Sequence, residues 1–315
     1  MTRWADSDEF QERLTGVADA TEVMLEHLLG DEPLPGEVAR PHRFMTAMRY
    51  ASLGGGKRLR PFLLVEAARL FGVEGDGVLR AACALEMIHC YSLVHDDLPA
   101  MDDDDLRRGR PTTHKAFDEA TAILVGDGLL TYAFDVTADP ATHSDPAVRA
   151  ELVLQLARHS GLGGMVGGQM FDLEAEASTA PHKADDVIRI QSMKTGALLH
   201  YAVIAGALLG GADSAARDAM SRYGMTVGAA FQVADDILDV EADEVALGKK
   251  TGKDADRNKA TLVAALGLEA ARARRDRLAE EAIAALDAIP SGSLPRGART
   301  DILKDAARFA VARKS

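Results

Sequence analysis

Cysteine is scarce in this sequence, with only Cys83 and Cys90 among 315 residues. Both fall in one apparent helix, two turns apart, too distant along it to bridge. Nothing therefore points to a disulfide framework or to a secreted chain, and a cytoplasmic protein is expected. The opening segment, "MTRWADSDEF", lacks the apolar core of a signal peptide. Basic charge is in deficit: 36 lysines and arginines face 49 aspartates and glutamates, for a net charge of −13. That balance argues against nucleic acid or an anionic membrane surface as the main partner. An anionic substrate would need local basic groups or divalent cations to hold it. Long apolar runs are nearly absent as well. The one to check is Thr195–Ala212, but it contains His200 and Tyr201 and is rich in alanine and glycine. It reads as a buried core helix, with no stable membrane insertion.

Strand signals are also missing, since no β-branched alternation is bounded by hairpin turns. Apolar residues recur instead at three and four, as in Leu79, Ala82, Cys83, Leu85 and Met87. Breakers at Leu28–Pro41, Gly72–Gly77, Ala138–Pro146 and Ile289–Ala298 separate roughly ten helices. No gap is both long and low in complexity, so the expectation is a single all-α domain over residues 1–315. "GLGGMVGGQ" (Gly161–Gln169) places glycines inside apparent helix, where each costs about 1 kcal/mol against alanine. Close helix packing, backbone approach to a ligand, or an irregular helix end would each account for it.

Two acid-rich stretches carry the chemistry. In "HDDLPAMDDDDLRRGRP" (His95–Pro111) Asp96 and Asp97 end a helix, Pro99 interrupts it, and Asp102 follows six residues after Asp96. On an unbroken helix Asp102 would point away, so a kink or bulge near Pro99 and Ala100 is needed to bring it back. In "DDILD" Asp235 and Asp239 share a helix face, Asp236 lies on the next, and Val233, Ile237 and Leu238 fill the rest. An ionised aspartate on a core-forming helix is costly unless paired. Neither stretch has EF-hand or zinc-site spacing, and carboxylates alone suit Mg²⁺, with Mn²⁺ as the alternative. Such ions bridge carboxylates to substrate phosphates, which would let neighbouring acids tolerate one another.

Basic elements interleave with these acids. "GGGKRLRP" (Gly54–Pro61) offers backbone that can approach an anion, with Lys57, Arg58 and Arg60 supplying charge. Arg107 and Arg108 follow the first acid stretch, and they could grip phosphate or merely neutralise the aspartates. Lys194 and Thr195 open an apolar helix, and Leu247–Thr261 carries four lysines. Any one of these could be plain surface charge, and His89, on a largely apolar helix, could be a satisfied core histidine.

Taken together, these motifs resemble the trans-isoprenyl diphosphate synthases of the polyprenyl synthetase family. "DDLPAMD" matches its first aspartate-rich motif, and "DDILD" the second. "GGGKRLRP", "GQMFD", "KTG" and "GKKTGKD" fall in family order, from about Arg40 to the C-terminus. Residues 1–40 match weakly. The closest likeness is to the bacterial farnesyl diphosphate synthases.

The resemblance implies an isoprenoid synthase fold, with ten or more helices around a central cavity, and a homodimer. It implies that Asp96, Asp97, Asp102, Asp235, Asp236 and Asp239 hold three Mg²⁺. An allylic diphosphate would sit on these ions with Arg107, Lys194, Gln232, Lys249 and Lys259, and isopentenyl diphosphate on Lys57, Arg60, His89 and Arg108. Thr195 and the nearby backbone carbonyl would face the developing cation, and Gln169 and Asp172 would line the same cavity. Tyr91 and Ser92, five and four residues before Asp96, would set product length, and a tyrosine there favours C15 over C20. Within the same chemistry the alternative is a geranylgeranyl diphosphate synthase. A class I terpene cyclase lacks a second motif like "DDILD", and a catalytically silent regulatory subunit typically loses acid-motif residues that this chain keeps.

Overall fold

The computed structural model describes residues 7–179, 182–247 and 261–312, and for 242–247 the backbone alone. Its helices are α1 (Asp8–Leu28), α2 (His42–Ser52), α3 (Leu59–Leu70), α4 (Asp76–Asp96), α5 (Thr113–Ala116), α6 (Glu119–Ala138), α7 (Pro146–Ser160) and α8 (Met165–Glu176). Next come α9 (Ala184–Gln191), α10 (Ala197–Leu209), α11 (Ser214–Leu247), α12 (Leu262–Leu266), α13 (Leu268–Asp287) and α14 (Asp301–Ala312). A π-helical turn, Ser192–Gly196, joins α9 to α10. The fold is all-α, as the periodicity predicts. Strand structure among the described residues is confined to β1 (Leu106–Arg107) and β2 (Arg110–Pro111), paired antiparallel with Leu106 opposite Pro111.

By packing, the chain falls into two compact units, one comprising Glu12–Val65 and Glu74–Val153, the other Met1–Gln11, Glu66–Val73 and Leu154–Ser315. In the first unit α4 packs against α6 and α2. It buries Ala81, Ala82, Leu85, Met87, Ile88 and Val94, which explains an apolar pattern too broad for a surface helix. Each large apolar side chain so buried contributes about 1.5–3 kcal/mol. α6 starts where the Asp118 carboxylate accepts from the Thr121 N–H at 2.7 Å, a capping bond that satisfies a helix-end donor. Cys83 and Cys90 are both buried and free.

The first unit also buries an ion-pair network. Arg58, assigned from sequence to anion binding, is only 3% exposed. Its guanidinium donates to Glu86 at 2.6 Å, to Glu22 of α1 at 2.5 Å and to the Ser52 carbonyl. The charge is consumed inside the protein, because Glu86, on the buried side of α4, would otherwise be an unpaired anion. The same helix α1 is tied down further on. The Leu28 carbonyl accepts from Tyr132 Oη at 3.0 Å, and the Leu29 carbonyl from Arg49 Nη1 at 2.8 Å.

In the second unit the long α11 packs against α10, α13, α14 and the π-turn. Val233 and Ile237 of α11 join Val187, Leu262 and Ala271 in one buried cluster, while Ala230 joins Ala279 and Val311 in another. The Thr195–Ala212 run is the core helix that the sequence suggests, with Leu198, Leu199, Tyr201, Ala202 and Val203 buried. The glycine-rich Gly161–Gln169 segment is part turn and part helix, since α8 begins only at Met165. Gly168 permits a close approach: a Cβ there would lie 2.3 Å from the Lys194 backbone nitrogen.

Candidate active site

The first group of candidate residues forms where α4 ends. Asp96 and Asp97 occupy its last turn, and the backbone beyond Pro99 curls back. The Asp102 N–H donates to the Asp96 carbonyl at 2.8 Å, and the Asp103 N–H to the Leu98 carbonyl at 3.1 Å. The interruption at Pro99 is therefore a turn that returns Asp102 to the end of the helix, leaving Asp96 and Asp102 adjacent. Asp97 is buried, and its Oδ1 accepts from Arg107 Nε at 2.9 Å and Nη2 at 2.5 Å. Burial pushes the Asp97 carboxyl above its ordinary value, against the pull of Arg107. A carboxylate in that position gains from any further cation.

Arg107 sits on β1, and the turn to β2 runs through Arg108 and Gly109, both at positive φ (52° and 75°). Two left-handed residues in succession make the tight hairpin turn whose twist suits paired strands. This turn carries Arg108 onto the glycine loop, where its Nη1 donates to the Gly55 carbonyl. Gly56, at φ +124°, has no room for a side chain, since a Cβ would meet that guanidinium at 2.6 Å. Burial holds His89 well below the ordinary imidazole value, and Arg60 and Arg108 push it further. The charges of Arg60 and Arg108 thus act on a neutral His89 ring, and exposed Lys57 lies in the glycine loop. A cleft of about 60 Å³ is lined by Gly54, Cys90, Asp97, Arg107 and Arg108. Tyr91 is buried on α4, edge-on to His95 at 5.9 Å between ring centroids, and Ser92 Oγ donates to the His89 carbonyl at 2.9 Å.

The second group lies on α8, the π-turn and α11. Lys194 Nζ reaches Asp172 Oδ2 at 2.5 Å, tying the π-turn to α8 one turn beyond Gly168 and beside Gln169. The wider π-turn, a local disturbance common at functional sites, places Lys194 and Thr195 ahead of the apolar helix. On α11, Gln232 and Asp235 are partly buried, Asp239 is exposed and Asp236 is buried. Asp236 Oδ2 accepts from the Leu262 N–H at 2.6 Å and Gln191 Nε2 at 2.8 Å. One carboxylate oxygen therefore joins α11, α9 and the start of α12, and only Oδ1 is left for another partner. Burial raises the Asp236 carboxyl to about 6, and like charges on Asp239 and Asp235 add to the shift.

Lys249 and Lys259, with the whole "GKKTGKD" motif, lie outside the described residues. Among the described residues, no three acidic, histidine or cysteine side chains converge as a ready-made metal cage. The donors nevertheless suit a hard ion. They are carboxylates, two of them destabilised as anions by burial, and magnesium is commonly held by one or two carboxylates with water and substrate phosphates completing its shell.

Against this geometry, residues 41–288 match the family model for polyprenyl synthetase. The chain belongs to the polyprenyl synthetase family. It is a prenyltransferase, like its curated relatives. The farnesyl diphosphate synthase of Geobacillus stearothermophilus is 48% identical over 233 residues, 74% of this chain and 78% of that one. That of Escherichia coli (strain K12) is 46% identical over 254 residues, 80% of this chain and 84% of that one. A crystal structure of an FPP/GFPP synthase from Zymomonas mobilis, in its apo form, superposes with a TM-score of 0.83 at 42% identity, covering 96% of this chain and 99% of that one.

Within this polyprenyl synthetase, sequence reasoning missed the anchoring role of Asp236, its partner Gln191, and the inward turn of Arg58. One signal was present: Glu86 stands between Leu85 and Met87 in an apolar helix, and a buried acid needs a buried cation.

Proposed function

We propose that this polyprenyl synthetase condenses isopentenyl diphosphate with dimethylallyl and geranyl diphosphate to give farnesyl diphosphate (C15). The observation that carries the reading is the juxtaposition in one unit of two different anion-binding chemistries. A carboxylate group, Asp96, Asp97 and Asp102, suits a metal-bridged diphosphate. A cationic group, Arg60 and Arg108 with Lys57, beside a neutral His89 that can donate a hydrogen bond, suits a diphosphate without metal. Two substrates with the same headgroup need two such sites.

In this reading the ligands for about three Mg²⁺ are Asp96, Asp97, Asp102, Asp235 and Asp239, with Asp236 offering Oδ1 only. When bound, the ions would neutralise the leaving diphosphate and so favour ionisation of the allylic C–O bond. The protein's own groups do the rest. Lys194 and Arg107 donate to the allylic diphosphate, joined by Gln232, Lys249 and Lys259. Lys57, Arg60, His89 and Arg108 hold isopentenyl diphosphate so that its double bond faces the allylic carbon. Thr195 Oγ1 and the π-turn carbonyls turn electron-rich atoms toward positive charge. Buried apolar walls exclude the water that would quench a carbocation. The described side chains offer no obvious base for the final proton, which passes to the released diphosphate. Tyr91, buried one turn before Asp96, closes the space available to a growing chain and favours C15 over C20. The acidic composition and the two buried free thiols support a cytoplasmic setting, and the family likeness supports a homodimer.

The test is incubation with isopentenyl diphosphate and dimethylallyl or geranyl diphosphate, with and without Mg²⁺, followed by identification of the prenyl products. C15 product dependent on Mg²⁺ is expected. A C20 end product would overturn the length assignment, and absence of any condensation would mark a regulatory subunit.

A further inference from the structure

The last turn of α7 and the first turns of α10 meet at a pair of histidines that the reaction does not use. His159 Nδ1 lies 2.7 Å from the Gln155 carbonyl. A carbonyl only accepts, so Nδ1 carries the proton and Nε2 keeps its lone pair. That Nε2 faces His200 Nδ1 at 3.1 Å, and His200 Nε2 lies 2.8 Å from Ser221 Oγ. The ring centroids are 4.9 Å apart with planes at 70°.

Without a cation, His200 Nδ1–H donates to His159 Nε2, and the Ser221 hydroxyl donates to His200 Nε2. The other tautomer of His200 needs only a shift of the proton from Nδ1 to Nε2 and a rotation of the Ser221 hydroxyl to accept it. Two lone pairs then face each other with no proton between them, and no net proton is gained or lost. Two nitrogens on one tetrahedral zinc, at 2.0–2.1 Å each, stand roughly 3.3 Å apart, close to the spacing already present. The outer nitrogens are held as those of metal-bound histidines usually are, one on a backbone carbonyl and the other on a hydroxyl. Both rings line a cavity of about 350 Å³, which Ser192 and Gly196 also border, so there is room for water ligands. Burial lowers both histidines, His200 to about 4, so each is in the neutral, metal-binding form at pH 7. No carboxylate lines the cavity, which disfavours a hard ion such as Mg²⁺. Exposed Arg158 does line it, and its charge would favour an anion as a further ligand.

We propose that His159 Nε2 and His200 Nδ1 form a two-nitrogen site for a divalent transition metal of the zinc class, completed by solvent and separate from the aspartate motifs. Occupancy would link α7 to α10, whose first residue follows the turn that bears Lys194 and Thr195.

The experiment uses the full chain in chelator-free buffer, with saturating Mg²⁺ to occupy the carboxylates, titrated with ZnCl₂. The expected result is a rise of several degrees in thermal midpoint for the parent protein, lost in both His159→Ala and His200→Ala. To guard against poor folding of either variant, the parent protein labelled with ¹⁵N-histidine provides a second readout. Among its ring signals, Zn²⁺ should move those of His159 and His200 and leave the other histidines in place. A midpoint that does not rise, a rise retained in either variant, or ring signals that move elsewhere would each overturn the proposal.

Discussion

Replacing Gly168 by alanine tests whether the seam between α8 and the π-turn sets the reactive geometry. The added Cβ would fall 2.3 Å from the Lys194 nitrogen, 2.7 Å from its Cα and 2.8 Å from the Met193 carbonyl carbon. These are backbone atoms, so no side chain can swing aside. Ordinary contact begins near 3.4 Å, and the two segments must therefore separate by about 1 Å. Overpacking of this kind costs about 1–3 kcal/mol, offset by up to about 1 kcal/mol from the better helix propensity of alanine. The net loss, about 0–3 kcal/mol, should lower the thermal midpoint by about 1.5 °C per kcal/mol in a chain of 315 residues. The effect on turnover should be larger than the effect on stability. The Lys194–Asp172 ion pair at 2.5 Å spans the same seam, and a displacement of about 1 Å at a positioning group can cost on the order of 100-fold in rate. Steady-state kinetics on Gly168→Ala should thus show kcat reduced by about two orders of magnitude in a folded protein. Gly16→Ala is the control, because nothing lies within 4 Å of its added Cβ, and it should leave kcat unchanged. If Gly168→Ala turned over within twofold of the parent, the reasoning about this seam would be wrong.

Three further outcomes are expected. Arg58→Ala should lose about 3–5 kcal/mol in urea unfolding by stranding Glu86, while Arg58→Met combined with Glu86→Leu should recover most of it; a small loss in the single variant would show that water reaches the site. Tyr91→Ala should shift the product mixture toward C20, and an unchanged C15 profile on chromatography would remove Tyr91 as the length determinant. Burial pushes the Cys90 thiol up to about 12 and raises Cys83 as well. At pH 8 a disulfide reagent should therefore find no fast thiol in the native protein and both thiols in denaturant, and a rapidly reacting native thiol would contradict the packing of α4.

The aspartate motifs were legible in the sequence because acids crowded beside an apolar pattern have few inexpensive explanations. The helices were legible because burial on one side imposes spacing of three and four. The return of Asp102 was also legible as a need, since Pro99 breaks the ladder, although the turn that achieves it was not. The hidden features depend on groups distant in sequence. Arg58 reads like its neighbours Lys57 and Arg60 until Glu22 and Glu86 are seen around it. Asp236 reads like Asp235 until the Leu262 amide and Gln191 occupy one of its oxygens. Gly168 is one glycine among several, and only the Lys194 backbone shows why it must be bare. His159 and His200, 41 residues apart, carry no motif at all.

The family match begins at residue 41, yet the segment ahead of it is wired into the matched region. Glu22 neutralises Arg58, and the carbonyls of Leu28 and Leu29 receive Tyr132 and Arg49. A version shortened to the matched portion would strip Arg58 of its Glu22 acceptor, leaving it Glu86 and the Ser52 carbonyl, and would take from Tyr132 and Arg49 the carbonyls they donate to. The segment ahead of the match thus acts as a built-in splint, and swapping it between relatives should succeed only when the counter-charges travel with it.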